Sequence, residues 1–421
     1  MTTFQVIAII LGITAVLAVV NYRFFQLPES IGMMAMALFL SMGLLAFGHF
    51  FPAIIKPFLH TVKGFDFSYF VLEIALPFLI FAGAFGIDTR LLSRERVPVL
   101  VFATLGILIS TFMVGILSFL ILPMTGLEVP LKHCLLFGAL ISPTDPIAVL
   151  AILKQSGIGQ DLEMDIEGES LLNDGVAVVV FLSLFSLSGG ADIAGETPHP
   201  SQQGWIGVLT LFGREVLGGL GLGSLAGVMG RRSLKGNTPV MLDILTTLAL
   251  VLVTYALAGA FHVSGPLAMV AMGLIMSYRM AETEKGATEQ EPIVIFWNAL
   301  DEIFNAVLFV LLGFVMLTLA DDFTWSFLGA GLLMIPVVLI ARAGSLLLTV
   351  PMTTLHGGSP HRNTVLLTWG GLRGGISVAL ALSLEPKMSG DLIAYLTYVI
   401  VVFSIIVQGL SIRTLVRRLG I

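Results

Sequence analysis

The 421 residues are 57% hydrophobic and only 11% charged, with a mean hydropathy of +1.00, whereas a soluble domain carries about 25% charge. This excludes a water-soluble globular protein and leaves a chain that is nearly all membrane. The net charge of −6 comes without a basic stripe, so nucleic acid is not a partner, and the single Cys134 excludes an internal disulfide or a thiolate metal cluster.

Apolar runs long enough to cross a bilayer as helices recur from end to end. Proline, glycine and charged clusters divide them into thirteen predicted spans near residues 4–20, 31–51, 68–87, 98–122, 131–153, 166–187, 205–229, 240–260, 263–279, 293–319, 325–350, 364–385 and 391–412. The first run has no basic residue ahead of it and no small-residue cleavage site behind it, so it reads as a membrane helix rather than a cleaved signal. With these spans, Arg23, Arg90, Arg94, Arg96, Lys154, Arg231, Arg232, Lys235, Arg279, Lys285, Arg362, Arg413, Arg417 and Arg418 share the side of the C-terminus. Only Lys56, Lys63, Lys132, Arg214 and Lys387 fall on the other. The positive-inside rule then predicts a cytoplasmic C-terminus and an external N-terminus in an inner membrane. Residues 188–204 become an external loop, and no soluble regulatory tail is expected.

Two spans are predicted to be broken. The fifth holds Ile141-Ser142-Pro143-Thr144-Asp145-Pro146 at its middle, and the twelfth holds Gly370-Gly371-Leu372-Arg373-Gly374-Gly375. Proline removes backbone donors and glycine lets the backbone leave helical geometry. At membrane depth such backbone survives only where protein or a watery cavity satisfies it. The breaks stand seven spans apart, which fits an all-α fold of two inverted six-helix repeats, 1–187 and 240–421, around a linker helix at 205–229. The bland alternative is a pair of ordinary kinks.

An ionisable group at mid-membrane costs about 2.5–3.5 kcal/mol on insertion scales, so Glu73, Asp145, Glu169, Asp174, Asp243, Asp301, Glu302, Arg342 and Arg373 each need a reason. On the sixth span, helical spacing puts Ser170 and Asp174 on one face with Asn173 beside them and Glu169 one turn below. Hydroxyl, amide and carboxylate oxygens of this kind replace the hydration shell of a small cation. A helix N-terminus accounts for Glu167 but not for Asp174, two turns further in. Asp145 before Pro146 reads either as a cap of the second half-helix or, with Thr144, as the other half of the cation site. Glu73 reads equally as a core polar residue or as a ligand near the ion.

The strings Ser142-Pro-Thr-Asp145-Pro-Ile-Ala-Val149, Gly168-Glu-Ser-Leu-Leu-Asn-Asp174 and Gly371-Leu-Arg373-Gly resemble the signature segments of the sodium/proton exchangers, the bacterial NhaP and animal NHE branch of the cation:proton antiporters. Leu76-Pro77, Phe296-Trp297 with Asp301 and Asn305, and Ile340-Ala341-Arg342 add matches in the same order. The resemblance implies a homodimer of thirteen-span protomers with crossed broken helices, a transporter rather than an enzyme, with no cofactor beyond the transported Na+ and H+. It implies that Asp174 exchanges a proton for sodium, helped by Thr144, Asp145 and Ser170, with Asn173 in the cation-binding set. It also implies that Glu169 is ion-paired, with Arg342 the expected partner and Arg373 the alternative. Asn298 departs from the family, which often has an acid there. Asn173 stands where electrogenic relatives carry a second acid, so one-for-one, electroneutral exchange is expected, serving pH and sodium homeostasis.

A site that carries either a proton or a cation, and cannot cross empty, exchanges the two by competition alone. The competing reading is a sodium-coupled symporter of a small organic anion on the same architecture, with Arg373 as its fixed cation. A channel needs a continuous carbonyl filter, for which the sequence has no repeated motif.

Overall fold

The computed structural model describes residues 3–51, 64–156, 159–189, 205–234, 239–282, 291–320, 323–353 and 360–419. Among them every regular element is helical, as a lipid solvent that offers the backbone no hydrogen bonds requires. The chain runs through α1 (Thr3–Val20), α2 (Glu29–Phe50), α3 (Phe67–Gly86), the short α4 (Thr89–Arg94) and α5 (Arg96–Thr125). It continues through α6 (Leu131–Ile141), α7 (Ile147–Ser156), α8 (Gln160–Leu187), α9 (Trp205–Ser233), α10 (Val240–Ala260) and α11 (Gly265–Glu282). The last elements are α12 (Glu291–Leu319), α13 (Trp325–Thr349), α14 (Pro360–Gly370), α15 (Gly375–Leu382) and α16 (Gly390–Leu419). Side-chain caps set several starts: Asp66 accepts from Tyr69 N, Asp88 from Arg90 N and Leu91 N, and Thr324 from Phe327 N.

A helix or a broken helix stands at each of the thirteen predicted stretches. Nine of the described helices are long and apolar enough to cross a membrane, and α14 with α15, bent by 48°, makes a tenth. The other predicted spans rest on shorter or less apolar helices: the α6 and α7 halves, α9 and α11. The predicted external loop lies almost wholly outside the described residues.

Both predicted breaks are present. Residues 142–146 separate α6 from α7, and residues 371–374 separate α14 from α15. Lipid tails are as apolar as leucine, so helix pairing here depends on close packing of small residues. Gly219 and Gly223 of α9 lie against the backbone of Ser264 and Ala268, and Gly313 of α12 lies against Ala37 of α2. The buried side chains form two cores. One gathers α3 and α9 to α12 around Trp297, Phe81 and Met272; the other joins α2, α6 to α8, α12, α13, α15 and α16.

Candidate ion-binding site

The two unwound segments meet each other. Asp145 N donates to Leu372 O at 2.8 Å, so one break supplies the hydrogen-bond partner the other lacks. A Cβ on Gly374 would stand 2.5 Å from Asp145 Oδ2, and one on Gly371 3.0 Å from Thr144 Cγ2. Only glycine permits this approach. Asp145 Oδ1 accepts from Ile147 N at 3.1 Å and so caps the first turn of α7.

Arg373 explains how the first break stays open. Its guanidinium, 2% exposed as part of a buried residue, donates to Pro143 O at 2.9 Å and to Ser142 O. Its backbone N donates to Ser404 Oγ at 3.0 Å. The carbonyls freed at the end of α6 are thus met by a fixed positive charge from the opposite break.

Helix α8 braces the break from the side. Ser170 Oγ donates to Thr144 O at 2.9 Å, and Asn173 Nδ2 donates to Thr144 Oγ1 at 2.9 Å. One turn below Asn173, Glu169 and Arg342 form a bidentate pair, Nη1 to Oε1 at 2.6 Å and Nη2 to Oε2 at 2.9 Å, with both side chains at most 5% exposed.

A cavity of about 400 Å³ opens at this junction, where the two cores meet. Asp174, Asp145, Thr144 and Ser170 line its inner part together with Gly374, Ser377, Asp301 and Asn305. Lys154 of α7 and Glu167 of α8 line it as well, while Leu76, Ile80, Leu150 and Leu308 supply apolar wall. Asp145 is within electrostatic reach of both Asp174 and Asp301. Several carboxylates and hydroxyls around one water-accessible space, deep between apolar helices, make a place for a small hard cation or for protons.

The sequence matches the family model described as sodium/hydrogen exchanger, transmembrane, over residues 10–418. The chain belongs to the sodium/hydrogen exchanger family. The exchanger is 40% identical to the Na(+)/H(+) antiporter NhaP of Pseudomonas aeruginosa, covering 99% of this chain and 96% of that one. It is 30% identical to the antiporter NhaH of Halobacillus dabanensis over 83% of each. The solved structure of the sodium proton antiporter MjNhaP1 from Methanocaldococcus jannaschii at pH 8 shares its fold, with a TM-score of 0.69 at 18% identity, covering 93% of this chain and 98% of that one.

In this exchanger the geometry brings Thr144, Asp145, Ser170 and Asp174 to one cavity. Asn173 is 1% exposed and holds Thr144 from behind. Glu73 sits on the π-helical turn Phe70–Ala75 with its side chain exposed, and it does not line the cavity. Glu169 takes Arg342 as its partner, while Arg373 serves backbone carbonyls. The cavity also includes two residues the sequence analysis did not place in the site, Asp301 and Asn305. Their spacing of four on α12, with an unexplained mid-span charge, was the available signal.

Proposed function

We propose that this exchanger moves Na+ in one direction and H+ in the other across the membrane, with Asp174 as the group that carries each in turn. The observation that carries the reading is the position of Asp174 on a cavity at the crossing of two broken helices, beside Asp145, Thr144 and Ser170. Sodium binds when Asp174 is ionised; its ligands are the carboxylates of Asp174 and Asp145 with the Thr144 and Ser170 hydroxyl oxygens. Asn173 acts by fixing Thr144. A proton on Asp174 removes the charge that holds the cation, so competition couples the two fluxes. Exchange is one-for-one, because Asn173 is neutral and Glu169 is committed to Arg342.

The names of the relatives support sodium as the cation, and the Lys/Arg distribution supports a cytoplasmic C-terminus in an inner membrane. The protein works as a dimer of protomers, each with repeats 1–187 and 240–421 joined through 205–229. The role is pH and sodium homeostasis. The anion-symport reading loses its receptor, since Arg373 is buried and bonded to Ser142 and Pro143. The test is a pH dye trapped in acid-loaded vesicles holding the purified protein: sodium alone, without organic solute, dequenches it. No response to sodium, lithium or potassium overturns the proposal.

A further inference from the structure

We infer that Ser404 and Gln408, on a π-helical turn of α16, are positioning residues for the exchange: their side chains splice the hydrogen bond that the break between α14 and α15 has cut, and so fix the loop that holds Arg373 against the other break. In an unbroken α-helix the N–H of residue 373 would donate to the carbonyl of residue 369. Here α14 ends at Gly370, and each of the two groups has a partner on α16 instead. Arg373 N donates to Ser404 Oγ at 3.0 Å. Ser404 Oγ donates in turn to Gln408 Oε1 at 2.7 Å, and Gln408 Nε2 donates to Trp369 O at 3.0 Å. One chain of bonds thus runs from the severed donor to the severed acceptor, with every donor matched and all pointing the same way, the arrangement in which hydrogen bonds strengthen one another.

The chain is built into the protein interior. Ser404 is 0%, Gln408 3% and Arg373 2% exposed, so water does not replace a member that is lost. Ser404 and Gln408 are the two ends of the π-helical turn Ser404–Gln408, a distortion that recurs at functional sites. Trp369 is held twice, by its carbonyl and by its ring, whose Nε1 donates to Ser411 Oγ at 2.9 Å. Gly409 seats the turn against α2: a Cβ there would stand 2.8 Å from Ile31 Cδ1.

Ser404, Gln408 and Trp369 do not line the cavity, so their effect on transport travels through the break. Arg373 donates to Ser142 O and Pro143 O, and Leu372 O accepts from Asp145 N. The splice is therefore two steps from Thr144 and Asp145, which the antiport reading makes sodium ligands. Without it, residues 371–374 are free to move, and the Arg373 guanidinium and Leu372 O leave the places where the first break needs them. The effect on sodium rests on the antiport reading; the splice does not, and the experiment reads the two separately.

Gln408→Met keeps the length of the side chain and removes both of its bonds; Ser404→Ala interrupts the same chain and serves if Gln408→Met does not fold. In hydrogen–deuterium exchange of the purified protein, peptides over 370–375 and 142–147 should exchange about tenfold faster or more in the variant, while those over α9 to α11 keep their protection. In vesicles, the apparent KM for sodium should rise on the order of tenfold, because ligands displaced by a fraction of an ångström no longer fit the ion, and the ratio of sodium to lithium rates should change with it. A residue that only supports the fold alters the number of active molecules, which lowers the rate at saturating sodium and leaves KM and the ratio where they were. Unchanged protection over 370–375 in the folded variant overturns the splice, whether or not the protein exchanges sodium. Lost protection with a wild-type KM and ratio overturns the positioning role.

Discussion

Replacing Glu169 by glutamine leaves the Arg342 guanidinium in place, 5% exposed, with a neutral partner whose amide presents donors to donors. Breaking a buried pair from one side costs about 3–5 kcal/mol, because the remaining charge has neither water nor a counter-ion. Unfolding entropy is about 2.1 cal/mol/K per residue, so for 421 residues each kcal/mol moves the melting temperature by about 1 °C. Glu169→Gln should therefore melt about 3–5 °C lower. The double variant Glu169→Gln/Arg342→Met removes both charges and should recover more than about half of that loss. The assay is thermal melting of detergent-solubilised protein followed by the fraction that remains monodisperse. A melting temperature for Glu169→Gln within about 1 °C of wild type refutes the reasoning. If Arg373→Gln falls instead, the charge that matters to Glu169 is the wrong one.

Three further outcomes follow from the site. Asp174→Asn should insert and melt at or above the wild-type temperature yet show no sodium-driven proton movement, since an amide cannot alternate between proton-loaded and charged forms; substantial exchange by the inserted variant removes Asp174 from its role. Gly374→Ala places a Cβ 2.5 Å from Asp145 Oδ2 and 2.7 Å from Asp145 Cβ, and Asp145 is held by Leu372 O and Ile147 N, so the crossing must shift; exchange in vesicles should drop on the order of 100-fold, and wild-type rates would show that the crossing tolerates the displacement. With the vesicle potential clamped by potassium and valinomycin, once potassium is shown not to be transported, initial sodium-driven rates should be equal at zero and at large potential. One net charge per cycle would instead couple at about 2.3 kcal/mol per 100 mV, and a clear voltage dependence would point to a second titrating acid, with Asp145 and then Asp301 the first to test.

The helices were legible because lipid imposes a severe rule on sequence: long apolar runs, bounded by charge and proline. The two breaks were legible for the same reason, since Ser142 to Pro146 and Gly370 to Gly375 violate that rule at mid-span. Asp174 and Glu169 stood out as charges in an apolar helix. Arg373 did not disclose its task, because its partners are backbone carbonyls, which carry no sequence signature. Asp301 lines the cavity because α12 packs against the crossing with that side, whereas its neighbour Glu302 does not line it, a matter of helix rotation that the sequence around Asp301 hinted at but did not specify. Glu73 shows the converse: an acid at a plausible depth, on the π-helical turn Phe70–Ala75, is not among the residues that line the cavity.

The hydrogen bond from Asp145 N to Leu372 O, with Arg373 reaching back to Ser142 and Pro143, makes the two breaks a single piece of architecture. Neither segment has a complete set of partners by itself. A change of residue or length in one break thus alters the fit of the other, more than two hundred positions away in the chain. The two loops should be inherited as a matched set: grafting residues 142–146 from a distant relative should fail by itself and succeed only with that relative's counterpart of 370–375.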